Sequence, residues 1–139
     1  MNSILIKSCD VLQRIQGEYQ ISPEQDIYIE NSRIRKISPS NSDSKSEKYE
    51  IINANGMLAI PGLINTHAHV PMVLLREFVS DVRVETWFND YIWHLESNLT
   101  PEDIYWGALL GHAEMIENGI TCVADRYFHM DEVARAVSD

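Results

Sequence analysis

The sequence predicts an α/β protein in which residues 1–60 form short antiparallel strands and residues 61–139 form a strand–helix–strand unit. Before residue 60, apolar and polar residues alternate in short runs that are separated by turn dipeptides, which is typical of hairpins. At Pro61-Gly62 the pattern changes to continuous apolar runs on either side of a helical period. Two buried strands joined by a helix pair in parallel, and this makes the second segment α/β.

The first segment contains two turn signals of the hairpin type. Asn31-Ser32 separates the runs 26–30 and 33–37, and Asn55-Gly56 separates the runs 49–54 and 57–60. Asn and Gly tolerate the left-handed backbone that two-residue hairpin turns require, so we expect antiparallel pairing across both turns. The Ser-rich stretch 38–46 has no apolar side chain to bury and predicts a surface loop.

Several agreeing signals predict a long helix in the second segment. Thr100 is a typical N-cap residue, Pro101 suits the first helical position, and Asp103 supplies an acid at the third. Gly119 predicts the helix end, and the apolar run 120–124 predicts the next strand. The apolar stripe predicted to face inward includes Ile104, Ala108, Leu109, Ala113 and Ile116.

Composition and charge limit the classes of function. The chain has 139 residues, 45% of them hydrophobic, and a net charge of −10, which fits one modest globular core. Residues 61–139 hold 4 Arg, no Lys and 13 acidic residues, so this segment repels phosphate and we expect no nucleic-acid partner.

We also expect no membrane association and a cytoplasmic location. No apolar run approaches the roughly 18 residues that a membrane helix needs, and the first residues lack the basic head of a secretory signal. Cys9 and Cys122 are far apart and form no CxxC motif. We interpret each cysteine as a free, mostly buried thiol in a reducing compartment.

His67 and His69 lie two residues apart at the polar end of the apolar strand that begins near Leu63. On a strand, residues at this spacing point to the same face with backbones roughly 6.5 to 7 Å apart, so both imidazoles can reach one metal ion. The carboxyl ends of parallel strands are also where α/β folds place their sites. We therefore favour a metal site, although the spacing alone leaves a structural or surface pair open.

Several further motifs follow in order, and together they indicate a family. The run from Pro61 to His69 resembles the first barrel strand of the amidohydrolase superfamily. The motifs after it resemble the branch that contains the 5-methylthioadenosine/S-adenosylhomocysteine deaminases and the triazine chlorohydrolases. These motifs are Pro71 to Arg76, Trp87, Glu96, Leu99 to Asp103, Glu114 to Ile116 and Gly119 to Cys122. The resemblance is weak through residue 50 and strong from Gly56 onward.

The resemblance implies an α/β fold with N-terminal β-sandwich strands followed by the first βα units of an incomplete, metal-dependent (β/α)8 barrel. Residues 1–60 would be the N-terminal part of a small β-sandwich domain, and residues 61–139 the first two strands and helices of the barrel. A complete barrel takes about 250 residues. We therefore expect an N-terminal piece of a longer enzyme, inactive alone, whose unpaired strand edges favour a homo-oligomer or an exchange of elements between copies.

The resemblance also implies roles for four residues. His67 and His69 would bind one divalent metal ion, Zn²⁺ in the first instance and Fe²⁺ as the alternative. The family's Trp at the position of Trp87 packs against the substrate, and its Glu at the position of Glu96 accepts hydrogen bonds from ribose hydroxyls. The other ligands, two His and an Asp, and the acid/base Glu belong to later strands. We therefore expect no catalytic residue in this chain and no tightly held metal.

The implied reaction is hydrolytic deamination of an aminopurine nucleoside such as methylthioadenosine or adenosylhomocysteine. The expected partner is thus a small molecule, a purine nucleoside or a similar heterocycle. A triazine chlorohydrolase or a guanine-type deaminase of the same superfamily is the alternative within this class. A truncated, catalytically inactive product that acts as a binding or assembly module is the alternative from another class.

Two residues depart from the family pattern, and others near the motifs have open roles. Glu77 stands where a Gly often follows the Leu-Leu-Arg run, and His94 stands where a Pro is common. His112 is interpreted as packed structure or, at most, as support behind the site residues, and Asp125 either supports the site through hydrogen bonds or caps its strand. A substrate role for the loop Tyr127-Phe128-His129, which continues over the same face before a last helix from residue 131, is a further alternative.

Overall fold

The computed structural model describes residues 3–41 and 48–139 and divides the chain into two compact units, Met1–Pro61 and Gly62–Asp139. The predicted boundary lies between residues 60 and 61. Residues 42–46 of the predicted Ser-rich loop lie outside the described residues, whereas Ser38 and Pro39 end a strand instead of opening a loop. In the described ranges, no helix combines the length and the apolar character needed to cross a membrane.

The first unit contains one mixed sheet with the strand order β3-β2-β1-β4, in which β5 also pairs with β1. Its strands are β1 (Ile4–Ile15), β2 (Glu18–Glu30), β3 (Arg33–Pro39), β4 (Glu50–Asn53) and β5 (Leu58–Ala59). The hairpin predicted at Asn31-Ser32 is confirmed, and both turn residues have positive φ, 52° and 58°.

The second predicted hairpin is wrong. β4 and β5 do not pair with each other, and both run parallel to β1. β1 has 12 residues and is interrupted by bulges between Ile6 and Val11, so two short strands fit along it in succession. The turn at Asn55-Gly56 carries the chain from one to the other, with Ala54 N bonded to Lys7 O and Asp10 N to Met57 O, each at 2.9 Å.

A small core holds this sheet together. It consists of buried Cys9, Val11, Ile27 and Ala54 with partly buried neighbours Ile6, Ile29, Ile37 and Ala59. Asp26 is buried at the edge of this core, and its Oδ1 accepts a 3.0 Å hydrogen bond from Ser8 N at the bulge. Burial raises the pKa of the Cys9 thiol, which keeps it protonated and unreactive.

The second unit is built on two parallel strands, as predicted, β6 (Leu63–Ala68) and β7 (Ile120–Asp125). A 3₁₀ helix (Val70–Leu75) follows β6. The chain then forms one continuous helical stretch, α1 (Val84–Thr86), a π-helix (Trp87–Ile92) and α2 (Trp93–Glu96). The remaining helices are α3 (Pro101–Glu117) and α4 (Met130–Ser138).

The predicted start of α3 is confirmed, but part of its predicted inward stripe is wrong. Thr100 Oγ1 accepts a hydrogen bond from Asp103 N at 3.2 Å, and Asp103 Oδ2 accepts one from Thr100 N at 2.8 Å. These bonds from Thr100 lower the pKa of the Asp103 carboxyl. Ala113 is exposed, and Ile116 is 71% exposed. The buried side chains are instead Ile104, Gly107, Ala108 and Gly111.

Two glycines set the inward face of α3. A Cβ at Gly111 would lie 2.6 Å from Val70 Cγ1, and one at Gly107 would lie 2.9 Å from Pro71 O. The 3₁₀ helix therefore rests directly on the α3 backbone, while Ile104 and Ala108 pack in a cluster with Val133 and Ala136 of α4. Because the glycines carry no apolar side chain, a count of apolar positions misses the face that they form.

Glu77 has a φ of 61°, a left-handed conformation that costs a residue with a Cβ roughly 1 to 2 kcal/mol. This is the position at which the family pattern favours Gly. We predict that Glu77→Gly raises the free energy of unfolding by up to about 1 kcal/mol, since glycine's extra freedom in the unfolded chain offsets part of the gain. Urea denaturation measures the difference.

Glu77→Ala is the matched control, because it removes the same carboxylate and keeps the Cβ. It should bring no comparable gain. If both variants stabilise the protein equally, the carboxylate and not the backbone conformation is the cause, and the prediction is wrong.

Candidate active site

The two sequence-predicted histidines lie side by side at the end of β6. Their ring centroids are 5.2 Å apart and the ring planes are inclined by 85°. His67 is within the strand, and His69 is the residue immediately after its last position. His67 N donates a 3.1 Å hydrogen bond to Asn65 Oδ1, which fixes the backbone between them. Both residues are exposed, so each ring can offer a nitrogen to a ligand.

The orientation of the His69 ring is set from β7. His69 Nδ1 lies 2.6 Å from the carbonyl oxygen of Arg126. A carbonyl oxygen only accepts hydrogen bonds, so Nδ1 carries a proton, and Nε2 is the nitrogen that remains for another partner. This is the arrangement by which proteins commonly fix a metal-binding histidine.

Asp125 joins the ends of the two strands. Its Oδ1 accepts hydrogen bonds from Val70 N at 3.2 Å and from Arg126 N at 2.8 Å. These are backbone contacts, and they tie the residue after His69 to the residue whose carbonyl holds His69. Asp125 Oδ2 is buried and has no hydrogen-bond partner among the described residues. Of the two roles left open for Asp125, the contacts favour a strand cap that also supports the site.

A cavity of about 450 Å³ lies beside His69. It is lined by His69, Met72, Trp87, Phe88, Glu96, Arg126, Tyr127 and Phe128. Three of the four sequence-predicted site residues, His69, Trp87 and Glu96, thus face one space, and His67 adjoins it through its ring contact with His69. The lining is mostly apolar and aromatic with few polar groups, which is typical of small-molecule sites.

The aromatic side of the cavity comes from the π-helix. Trp87 is its first residue, and the ring centroids of Trp87 and Phe88 are 4.8 Å apart with planes inclined by 78°. Phe88 in turn lies 6.0 Å from the ring of Trp93. A π-helix is rare and occurs often at functional sites. Here it places two successive aromatic side chains in the lining, which a regular helix pattern does not anticipate.

Glu96 and Tyr127 are hydrogen bonded across the cavity lining. Tyr127 Oη donates to Glu96 Oε1 at 2.7 Å, and the centroid of the Tyr127 ring lies 6.4 Å from that of His69. Burial, and then the bond to the Glu96 carboxylate, raises the pKa of the Tyr127 hydroxyl. The phenol therefore stays protonated and remains a donor to Glu96.

The other candidate histidines and Cys122 are not among the residues that line this cavity. His94 is exposed outside the cavity lining, and its carbonyl oxygen accepts from Ser97 Oγ at 3.0 Å. His112 lines a different cavity, between α3, β7 and α4, where its Nε2 is buried without a partner in the described part of the chain. His129 is the N-cap residue of α4, with a φ of 49°. Cys122, predicted to be buried, is exposed on β7.

Met72, Phe88 and Arg126 line the cavity and were not predicted from the sequence as parts of the site. Arg126 contributes its carbonyl to His69 and is one of the residues that line the cavity. The available signal was its place directly after Asp125 at the end of the second strand. A carbonyl that orients a histidine leaves no mark on residue type, so its part in the site is visible only in the structure.

The described residues bring two candidate metal ligands, His67 and His69, together at this site and not a complete set. No group of three or more His, Cys, Asp or Glu side chains in ranges 3–41 and 48–139 is arranged to hold a metal ion. Imidazole nitrogens are common ligands of zinc, and one of these two rings is held in place by a carbonyl. Catalytic zinc takes three protein ligands, so the two histidines would be part of a ligand set.

Comparison with known protein sequences adds a family and named relatives. A model of the amidohydrolase family matches residues 58–139. The chain is 45% identical over 137 residues to a 5-methylthioadenosine/S-adenosylhomocysteine deaminase of Thermococcus sibiricus, covering 99% of this chain and 31% of the relative. It is also 45% identical over 125 residues to a 5'-deoxyadenosine deaminase of Methanocaldococcus jannaschii, covering 90% of this chain and 30% of the relative.

Solved structures give a consistent picture of the fold. An adenosine deaminase from Xanthomonas campestris with bound zinc superimposes with a TM-score of 0.76 at 26% identity, covering 99% of this chain and 31% of that chain. The zinc complex of an atrazine chlorohydrolase from Arthrobacter aurescens TC1 superimposes with a TM-score of 0.78 at 26% identity, covering 98% of this chain and 33% of that chain. This chain therefore spans about a third of the proteins it matches.

The raised pKa of Tyr127 predicts a pH-dependent contribution to stability. In the unfolded chain a tyrosine ionises near pH 10, below the folded-state value, so rising pH favours unfolding above about pH 10. The stability that wild type holds over Tyr127→Phe should therefore be fully present at pH 8 and shrink towards pH 11. Urea denaturation of both proteins at several pH values measures it.

Tyr91→Phe is the control, because Tyr91 is 38% exposed on the π-helix and outside the cavity lining. A difference between wild type and Tyr127→Phe that stays constant from pH 8 to pH 11 would show that the Tyr127 hydroxyl is not held in its protonated form.

Proposed function

Because the chain belongs to the amidohydrolase family, we propose that it is the N-terminal portion of a metal-dependent hydrolase that removes the amino group of a purine nucleoside. One observation carries this proposal: a single cavity brings His69, Trp87 and Glu96 together, with His67 against His69. Relatives named as deaminases of 5-methylthioadenosine, S-adenosylhomocysteine and 5'-deoxyadenosine support the reaction and the substrate class.

His67 and His69 would hold a divalent metal ion, Zn²⁺ in the first instance, with Fe²⁺ as the alternative. When bound, such an ion lowers the pKa of a water ligand to about 7 and so supplies hydroxide at neutral pH. The chain's own part is to present two imidazoles, of which His69 is held through Nδ1 by the Arg126 carbonyl and keeps Nε2 for the metal. The further ligands and the acid/base Glu would come from a longer protein.

The cavity suits a nucleoside by both size and chemistry. Its volume of about 450 Å³ is within the range of small-molecule sites, roughly 300 to 1,000 Å³. Trp87 offers a flat aromatic surface for a purine ring. Glu96 offers two acceptor oxygens, which a vicinal diol of a ribose can use at once. The base would thus lie near the aromatic side and the sugar near the carboxylate.

The two compact units fit this proposal as parts of larger domains. Residues up to Pro61 would be the N-terminal part of a small β-sandwich, and residues from Gly62 onward the first two strands and helices of the barrel. The first sheet leaves Ile21, Ile34 and Ile51 at least half exposed. A second sandwich layer would cover exposed apolar side chains of this kind.

A triazine chlorohydrolase is the second candidate, and the TM-score of 0.78 to the atrazine enzyme favours it. Glu96 separates the two functions, because a triazine has no diol for the carboxylate to bind. The relatives at 45% identity carry nucleoside deaminase names, and we therefore place the nucleoside reaction first.

The first test uses the complete product of the gene. It should contain about one Zn²⁺ or Fe²⁺ per chain and release ammonia from methylthioadenosine or adenosylhomocysteine. His67→Ala should lose both the metal and the activity, because it removes one of the protein ligands and His69 alone cannot hold the ion in its place. His94→Ala, an exposed histidine outside the cavity, is the matched control and should retain both.

Wild-type metal content in His67→Ala would contradict the assigned ligand pair. A complete gene product without tightly bound metal and without turnover would instead support the binding or assembly module.

The second test concerns the substrate. Glu96→Ala should lower kcat/KM for a ribonucleoside on the order of 100-fold, because hydrogen bonds to a charged acceptor contribute about 1.5 to 3 kcal/mol each. For the 2',3'-dideoxy analogue the loss should be small. The control is Glu85→Ala, which removes an exposed carboxylate from α1. Equal losses on both substrates would contradict the role given to Glu96.

A further inference from the structure

We infer that Tyr127 is a positioning residue that holds the Glu96 carboxylate ready to receive the sugar diol. The inference rests on the proposed function, and it assigns a role to a residue that makes no ligand or acid/base contribution of its own. Tyr127 belongs to the loop between β7 and α4, whereas Glu96 is the last residue of α2. Their contact therefore joins two elements that are otherwise distant in the sequence.

The contact uses only one of the two carboxylate oxygens of Glu96. Tyr127 Oη donates to Oε1 at 2.7 Å, while Oε2 has no hydrogen-bond partner within ranges 3–41 and 48–139. A carboxylate has about four acceptor positions, so after this bond Oε1 and Oε2 can each still accept from one hydroxyl. Tyr127 thus fixes the carboxylate without consuming its capacity for a diol.

Fixing the carboxylate matters because a glutamate side chain is flexible. Ordering one costs up to about 1.5 to 2 kcal/mol of conformational entropy, which weakens any ligand that has to impose the order itself. With Tyr127 in contact, the order exists before a substrate enters. The hydroxyl of Tyr127 should therefore tighten binding of a diol-bearing substrate while leaving the bond-breaking step unchanged.

Tyr127 is itself held in place relative to the histidines. Its ring lies 6.4 Å from the His69 ring and 5.2 Å from the Phe128 ring, and its backbone N contacts Met130 Sδ at 3.2 Å. The preceding residue, Arg126, holds His69 Nδ1 with its carbonyl. Two successive residues thus fix the metal-binding side and the diol-binding side, which sets the distance between sugar and reacting ring.

The test is a double-mutant cycle in the complete, metal-loaded gene product. It compares wild type, Tyr127→Phe, Glu96→Ala and the double variant with one ribonucleoside as substrate. We expect Tyr127→Phe to raise KM about tenfold with kcat within about twofold, which is the loss of one hydrogen bond to a charged group. In the Glu96→Ala background the same change should have no further effect, because its partner is gone.

Two readouts separate positioning from a merely structural role. Phe keeps the aromatic ring and loses only the hydroxyl, so metal content should stay at wild type and the melting temperature should fall by no more than one lost hydrogen bond accounts for. The 2',3'-dideoxy nucleoside, which lacks the diol, should be insensitive to Tyr127→Phe. Tyr91→Phe is the matched control, as it removes a hydroxyl from a tyrosine outside the cavity lining and should change neither KM nor kcat.

Three results of these measurements would overturn the inference. The first is a fall in kcat/KM in the double variant that equals the product of the two single falls. The second is a lower kcat at unchanged KM in Tyr127→Phe, and the third is a loss of bound metal in that variant, which would mean that the hydroxyl supports His69. If wild type contains metal but turns over no nucleoside, the proposed function fails and the inference fails with it. If wild type deaminates and Tyr127→Phe behaves as wild type, the inference alone is wrong.

Discussion

The parallel pairing of β6 with β7 is the constraint on which the candidate site depends. The pairing runs from Leu63 beside Ile120 to Ala68 beside Asp125, and Arg126 N still bonds to Ala68 O at 3.3 Å beyond it. Because the strands run in the same direction, both carboxyl ends meet at one edge. The polar contacts at that edge depend on this arrangement. Asp125 Oδ1 accepts a hydrogen bond from Val70 N, and the carbonyl oxygen of Arg126 accepts one from His69 Nδ1.

The helix between the two strands, α3, supports the site because two of its residues are glycines without a Cβ. Gly107 and Gly111 let the 3₁₀ helix rest on the α3 backbone, where a Cβ at Gly111 would lie 2.6 Å from Val70 Cγ1. Val70 is the residue bonded to Asp125, so the end of β6 is held from the strand side and from the helix side together. Small residues in α3 are therefore part of the support of the site, although they are not among the residues that line the cavity.

The sequence patterns correctly predicted the features that depend on residues close together in the chain. The capping box of Thr100 and Asp103, the strand that carries His67 and the turn at Asn31 are each determined within a few residues, and each is present in the structure. The direction of β4 and β5 and the exposure of Cys122 depend on distant partners, and they differ from prediction. Residue patterns alone would have made Trp87 a core aromatic and Glu96 a solvated acid, so the family resemblance was needed to single them out. The bond between Glu96 and Tyr127 links separate elements and had no sequence signal beyond the place of Tyr127 after a strand.

The uncovered apolar surface of the second unit and its incomplete ligand set have one explanation under the proposed function. Parallel sheets are normally covered on both faces, yet Leu63 and Ile64 are 51% and 66% exposed, and an apolar groove of about 660 Å³ lies between α3, β7 and α4. In the described ranges β7 pairs with β6 alone. Further strands added beside β7 would cover this surface and would end at the same edge as His67 and His69. The elements that complete the hydrophobic core would then be the ones that bring the remaining metal ligands, so closing the barrel and assembling the metal site would be a single, coupled step.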